Sequence, residues 1–159
     1  MALIVQKFGG TSMGSTERIT QVAKRVAKWA RAGHQMVVVP SAMSGETNRL
    51  LSLARELAPS RQTDAYLREL DMLASTGEQV SVGLLAIALQ AQGQPAVSYA
   101  GWQVPVRTSN AYTKARIDSI DDQKVRAELN AGKVVIITGF QGVDDSGNIT
   151  TLGRGGSDT

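Results

Sequence analysis

Apolar positions along this chain follow two different periods, and the change between them marks its elements. Leu3 to Phe8 is a short apolar run rich in Ile and Val that ends at Gly9-Gly10-Thr11-Ser12, the pattern of a buried strand entering a glycine loop. Further on, Ile19, Val22, Ala23, Val26, Ala27 and Ala30 recur at three- and four-residue intervals, which predicts a helix capped by Ser15 or Thr16 and stopped at Gly33. Met36 to Pro40 predicts a second strand, so the chain opens with a βαβ unit, parallel pairing and a right-handed crossover.

A second polar loop, Ser41 to Thr47, leads into amphipathic segments Thr47 to Leu57 and Thr63 to Ala74, broken at Pro59-Ser60. Gln79 to Gln92 is apolar around much of its circumference, which predicts a separate helix buried on several sides, either within the domain or at a subunit contact. Ala96 to Ala100 predicts a strand, Asp121 to Ala131 a helix capped by Asp121 and closed by Gly132, and Lys133 to Thr138 a central strand. Asp144-Asp145-Ser146-Gly147-Asn148 reads as a hairpin tip returning through Ile149 to Leu152. This order predicts an α/β fold, with helices on both faces of a mainly parallel sheet. Ligands of such sheets gather beyond the carboxyl ends of the strands, where the loops Gly9 to Ser12, Ser41 to Thr47 and Gly139 to Asp158 fall.

With 159 residues, 42% hydrophobic and 19% charged, the chain has the size and composition of one globular domain. It contains no cysteine, which excludes disulfides, thiolate metal sites and thiol nucleophiles. Its single histidine, His34, follows Gly33 at a helix end and reads as a partner of the helix dipole. The formal charge of +3 comes from 17 dispersed Lys and Arg, and only seven aromatics are present, so no nucleic-acid partner is expected. The uncharged stretch after Glu78 breaks into Gln90, Gln92, Gly93 and Gln94 before the ~20 residues of a membrane span, so no membrane partner is expected. Met1 to Gln6 lacks the basic and apolar regions of a signal peptide, and a cytoplasmic location is expected. Trp29 and Trp102 read as packing residues.

Three places could carry chemistry. Lys7 ahead of Gly9 and Gly10 supplies a positive charge beside backbone amides that an anion can approach closely; the alternative is a tight turn with a lysine in water. Thr150 to Thr159 surrounds Arg154 with Gly153, Gly155 and Gly156, giving a guanidinium fork room to grip a carboxylate or phosphate; the alternative is a hinge. Glu78, in Thr76-Gly77-Glu78, reads either as a first-turn dipole partner of the following helix or as a ligand for an ammonium group.

Together, Lys7-Phe8-Gly9-Gly10-Thr11-Ser12, Ser41-Ala42-Met43-Ser44-Gly45-Glu46-Thr47-Asn48, Thr76-Gly77-Glu78, Gly139-Phe140-Gln141-Gly142 and Thr150 to Asp158 resemble the successive signatures of the aspartate kinases, within the amino acid kinase superfamily. The resemblance implies a three-layer αβα sandwich and ATP-dependent phosphorylation of the β-carboxylate of L-aspartate to 4-phospho-L-aspartate. That step opens lysine, threonine, methionine and isoleucine synthesis. It further implies that Lys7 neutralises charge on the transferred group, that Phe8, Gly9, Gly10 and Ser12 form the phosphate loop, and that Mg²⁺ arrives with ATP. Ser41, Thr47, Glu78, Phe140, Gly153, Arg154, Gly155 and Ser157 resemble the aspartate pocket, with Arg154 on the α-carboxylate and Glu78 on the α-ammonium. Asp158 matches the catalytic aspartate; since a β-carboxylate is already ionised at neutral pH, it is read as an organiser of Lys7 rather than a base.

By the same resemblance, residues 1–159 would be the amino-terminal portion of the kinase domain. The rest of the nucleotide site and the regulatory ACT domains would be absent, and this portion alone inactive. The parent would be a homo-oligomer or assemble with ACT-containing chains. The competing expectations are another member of the superfamily with a different acceptor, and a non-catalytic assembly module that uses the uncharged helix as its contact surface.

Overall fold

The computed structural model describes residues 1–60 and 63–153. In chain order the elements are β1 (Leu3–Phe8), α1 (Thr16–Arg31), β2 (Gln35–Pro40), α2 (Glu46–Leu57), α3 (Asp64–Ala91), β3 (Ala96–Tyr99), β4 (Val106–Thr108), β5 (Ile117–Ile120), α4 (Gln123–Asn130), β6 (Val134–Ile137), β7 (Gln141–Val143) and β8 (Ile149–Thr151). The main sheet runs β1-β2-β6-β3 with every pairing parallel, as expected, and β6 lies inside it.

Strand alternation divides the core between the two faces of this sheet. Met36, Val38, Val134 and Ile136 point to the face covered by α1 and α3, where they meet Val22, Val26, Leu85 and Leu89. Val37 and Val135 point the other way, against Val125 and Leu129 of α4. Helices thus cover both faces of β2 and β6, and the layers are helix, sheet, helix. The edge strand β1 is not the buried strand its composition predicts: Leu3 and Val5 are 49% and 65% exposed, because its position at the sheet edge leaves one face open. Leu85 is 0% exposed, and burying such a side chain contributes ~1.5–3 kcal/mol.

Ser15 caps α1, its side chain accepting from the Arg18 amide at 3.2 Å. The segments expected at 63–74 and 79–92 form one helix, α3, capped by Thr63. Its middle contains Gly77, which costs a helix about 1 kcal/mol relative to alanine. Packing explains the choice: a methyl group there would sit 3.2 Å from the Ala42 side chain, so glycine lets α3 approach the second loop. Within this chain the carboxyl-terminal part of α3 leaves one face open, for Val80 and Ile87 are 48% and 62% exposed. By length and composition α3 could cross a membrane, yet half of that apolar window is buried within the fold as a core helix.

Three smaller expectations change. Asp122 rather than Asp121 is the N-cap of α4 and makes no side-chain cap bond; the Asp121 carboxylate instead accepts from the Gln123 amide. His34 does not serve the helix dipole: its Nδ1 accepts from the Ala2 amide at 3.1 Å and its ring centroid lies 5.6 Å from that of Trp29. Trp29 and Trp102 are both substantially exposed.

A second, smaller sheet runs β5-β4-β7-β8 with mixed pairing. β7 and β8 are the expected hairpin, and its tip is tied by the Asp144 carboxylate, which accepts from the amides of Ser146 and Asn148. Burial pushes the Asp144 carboxyl up, but hydrogen bonds from Asn148, Tyr112 and Ser146 outweigh it and hold the group below its ordinary value. β4 and β5 were not expected. β4 alternates in burial but is only three residues long, and all four residues of β5 are exposed, so neither shows a period the sequence could announce. Polar staples join this sheet to α3: Arg68 donates to Asn148, Ser75 accepts from the Gln141 side chain, and Asp71 accepts from Thr113 and Thr151.

Candidate active site

Parallel pairing puts the carboxyl ends of β1, β2 and β6 side by side, and the chain leaves all three into one cleft of about 510 Å³. Lys7, Gly10 and Thr11 line it from the first loop, Ser41 to Gly45 with Thr47 and Asn48 from the second, and Gly139 and Phe140 from behind β6. Glu78 reaches it from the middle of α3.

The first loop is a run of tight turns, with the amides of Ser12, Met13 and Gly14 donating to the carbonyls of Gly9, Gly10 and Thr11. Met13, 0% exposed, anchors it in the core. A methyl group at Gly10 would lie 3.3 Å from the Ala42 carbonyl oxygen, so the two loops touch there. At Gly9 φ is not positive and a methyl group would meet nothing within 4 Å, so neither backbone conformation nor packing demands a glycine. Gly9 is exposed and is not among the residues that line the cleft.

Phe140 adopts φ +68°, a left-handed conformation that a bulky residue rarely holds. The Leu152 amide donates to the Phe140 carbonyl at 2.7 Å, so the hairpin holds the strained residue at the cleft wall.

Glu78 is the electrostatic centre. It is 5% exposed, and burial pushes its carboxyl up to about 7, against the lowering effects of the Ala42 amide hydrogen bond and the Lys7 charge. Among the described residues its Oε2 meets no hydrogen-bond donor. A buried carboxylate with one oxygen unmatched is the complement of a cationic donor. Its place inside a helix removes the first-turn alternative.

The expected residues therefore separate. Lys7, Gly10, Ser41, Thr47, Glu78 and Phe140 come together around the cleft. The Phe8 side chain packs in the core at the edge of a neighbouring hollow rather than in the cleft, because β1 alternates and Phe8 shares a face with Ile4. Ser12 lines an adjoining hollow with Ser15, Arg18 and Arg25. Gly153 lies against Lys114 rather than in the cleft. Arg154, Gly155, Ser157 and Asp158 lie outside the described residues. Two contributors were missed: the backbone amide of Ala42, which no side-chain pattern announces, and Gly77, whose role follows only from what it touches. Among the described residues no three acidic or histidine side chains converge as metal ligands.

The sequence pattern of the amino acid kinase family matches residues 2–159. The chain is 64% identical over 159 residues to an aspartate kinase of Pseudomonas fluorescens, covering all of this chain and 38% of that protein. Among solved structures, the aspartate kinase from Synechocystis is 48% identical with a TM-score of 0.77, covering 99% of this chain and 25% of its own. E. coli aspartokinase III in complex with aspartate and ADP is 26% identical with a TM-score of 0.83, covering 99% and 45%. The chain thus spans less than half the length of each of these three proteins. By its sequence and its layered parallel sheet, it belongs to the amino acid kinase family.

Proposed function

We propose that this chain is the amino-terminal portion of the catalytic domain of an aspartate kinase. The full-length protein would transfer the γ-phosphoryl group of ATP to the β-carboxylate of L-aspartate, giving 4-phospho-L-aspartate. The observation that carries this reading is the unmatched, buried oxygen of Glu78 at the cleft, a receptor for the substrate's α-ammonium.

The acceptor carboxylate is ionised at neutral pH and attacks phosphorus without a base. The protein's task is to bring two anions together in line and neutralise the charge between them. Lys7 serves that purpose at the end of β1, with Gly10 beside it on the cleft, and Gly9, exposed next to them, extends the phosphate loop. Mg²⁺, carried on the nucleotide, supplies further neutralisation when bound. Glu78 orients the amino end of aspartate and Phe140 forms part of the wall. From their place in the motifs, Arg154 grips the α-carboxylate, with Gly153, Gly155 and Ser157 around it, and Asp158 organises Lys7. The remaining nucleotide contacts and regulatory ACT domains belong to sequence beyond these residues. The enzyme works in the cytoplasm, opening lysine, threonine, methionine and isoleucine synthesis, as a homo-oligomer or with ACT-containing chains.

The test is a coupled ADP-release assay on the full-length protein with L-aspartate, L-glutamate, N-acetylglutamate and succinate as acceptors. Turnover with L-aspartate, with succinate poor for lack of an ammonium group, is expected. Preference for another acceptor would sink the assignment. Titration calorimetry of residues 1–159 with Mg-ATP is expected to show no micromolar binding. Self-association through α3 would use the exposed Val80 and Ile87; Leu85 is core, so sedimentation of Ile87→Glu, not Leu85→Glu, tests that surface.

A further inference from the structure

Two helical turns before Glu78 on α3 lies a second buried carboxylate, Asp71, only 1% exposed. Its donors all come from the small sheet and the loop beside it. The Thr113 amide donates to both oxygens at 3.1 and 3.0 Å, the Thr151 amide to Oδ2 at 2.8 Å, and the Thr151 hydroxyl to Oδ1 at 2.7 Å. Among the described residues no lysine or arginine pairs with it. Thr113 holds φ +71°, a strained conformation for a β-branched residue, and both of its bonds to Asp71 act on that backbone.

The two chains gripped by Asp71 are those that meet beside Gly153. Thr151 precedes Gly153 by two residues, while Lys114, next to Thr113, is the residue against which Gly153 packs. The Ala115 amide donates to the Thr151 carbonyl, and Ala115 bridges to Leu152. An apolar contact would bury the same surface at lower cost; three directional donors instead fix where both chains lie. Asp71 and Glu78 share one rigid helix, so anchoring the stem at Asp71 sets its distance from Glu78.

We infer that Asp71 is a positioning residue for the acceptor substrate: through Thr113 and Thr151 it holds the Leu152–Gly153 stem, from which the arginine motif issues, in register with Glu78. The inference rests on the proposed reading, in which Arg154 and Glu78 grip the two ends of one amino acid group. Substitution at Asp71 would then act on acceptor binding and leave the nucleotide unaffected.

The experiment uses the full-length protein with Asp71→Asn, a near-isosteric change that turns an amide NH₂ towards donors. The expected result is a KM for L-aspartate raised about tenfold or more, with the KM for Mg-ATP within about twofold. Amide exchange at 113–115 and 151–153 should quicken in the same protein. Thr151→Val, which removes only the hydroxyl donor, should move the KM for L-aspartate in the same direction by about threefold, and it carries the test should Asp71→Asn fail to fold. A lower melting temperature with an unchanged KM for L-aspartate, or both KM values rising together, overturns the inference. Absence of any aspartate phosphorylation by the unmutated protein overturns the functional reading itself, whereas unchanged exchange in the variant overturns only the clamp.

Discussion

The two sheets of this molecule are held by opposite means. The main sheet is parallel, covered on both faces at its central strands β2 and β6, and built there from Val and Ile whose alternation assigns each side chain to α1 and α3 or to α4. The small sheet is mixed in direction, and its buried contacts include Asp71, Thr108, Gln141, Thr150 and Thr151. Non-directional burial makes a rigid platform and tolerates small shifts; buried hydrogen bonds tolerate few, because a lost partner leaves a desolvated group behind. The cleft lies where the two regimes meet, with Lys7 and Ser41 on the platform's ends and Phe140 leading into the small sheet.

Paired truncations test this contrast most strongly. Ile136→Ala is expected to cost ~2–5 kcal/mol of unfolding free energy through lost burial and a cavity. Asp71→Ala should cost a comparable ~3 kcal/mol by stranding the Thr113 and Thr151 donors, despite removing almost no apolar surface. Chemical denaturation measures both, and a loss under ~1 kcal/mol for Asp71→Ala would show that polar anchors do not hold the small sheet.

Glu78 brings the polar regime into the cleft and predicts a pH dependence. Its carboxyl loses the proton near 4.5 when unfolded and near about 7 when folded. Between those values the folded chain binds more protons, so stability falls as pH rises from 4.5 to about 7 and levels off above, by roughly 3 kcal/mol in total. Glu78→Gln should flatten that portion of the stability–pH curve while weakening aspartate binding in the full-length protein. By the same linkage, the KM for L-aspartate should fall as pH rises through about 7, since the ammonium prefers the ionised carboxylate.

Glycines sharpen the comparison at lower amplitude. A methyl group at Gly142 would lie 2.5 Å from both the Val106 carbonyl oxygen and Thr108 Cγ2, so Gly142→Ala must shift the small sheet and should cost ~1–3 kcal/mol. Gly9→Ala meets nothing and should leave the melting transition within about 0.5 kcal/mol, while lowering kcat/KM for Mg-ATP in the full-length protein. If Gly9→Ala left turnover intact, the phosphate-loop role would fail.

The main sheet was legible because its physics is periodic. Ile19 to Ala30 state their burial through helical spacing and Val134 to Ile137 through an unbroken apolar run, and the βαβ opening follows from the first of these set between the apolar runs of β1 and β2. Ser75-Thr76-Gly77 interrupts the apolar rhythm and makes α3 look like two helices, yet Ser75 is where Gln141 donates and Gly77 is where α3 meets the second loop. β4 is too short to show a rhythm and β5 buries nothing; β5 is a strand only through its pairing with β4, and β4 joins the sheet through distant β7.

By itself the sequence determined the parallel core, the order of the loops above it, and the residue types available for chemistry: lysine, glutamate and glycine amides, with no thiol and one imidazole. Only the tertiary structure decided that Glu78 sits within a helix rather than at its start, that it is buried beside Lys7 and the Ala42 amide, and that Asp71 faces three donors from distant segments. Helical and strand periods are local and leave their mark on neighbouring residues. A buried carboxylate is defined by which distant donors reach it, and that is settled only when the chain closes upon itself.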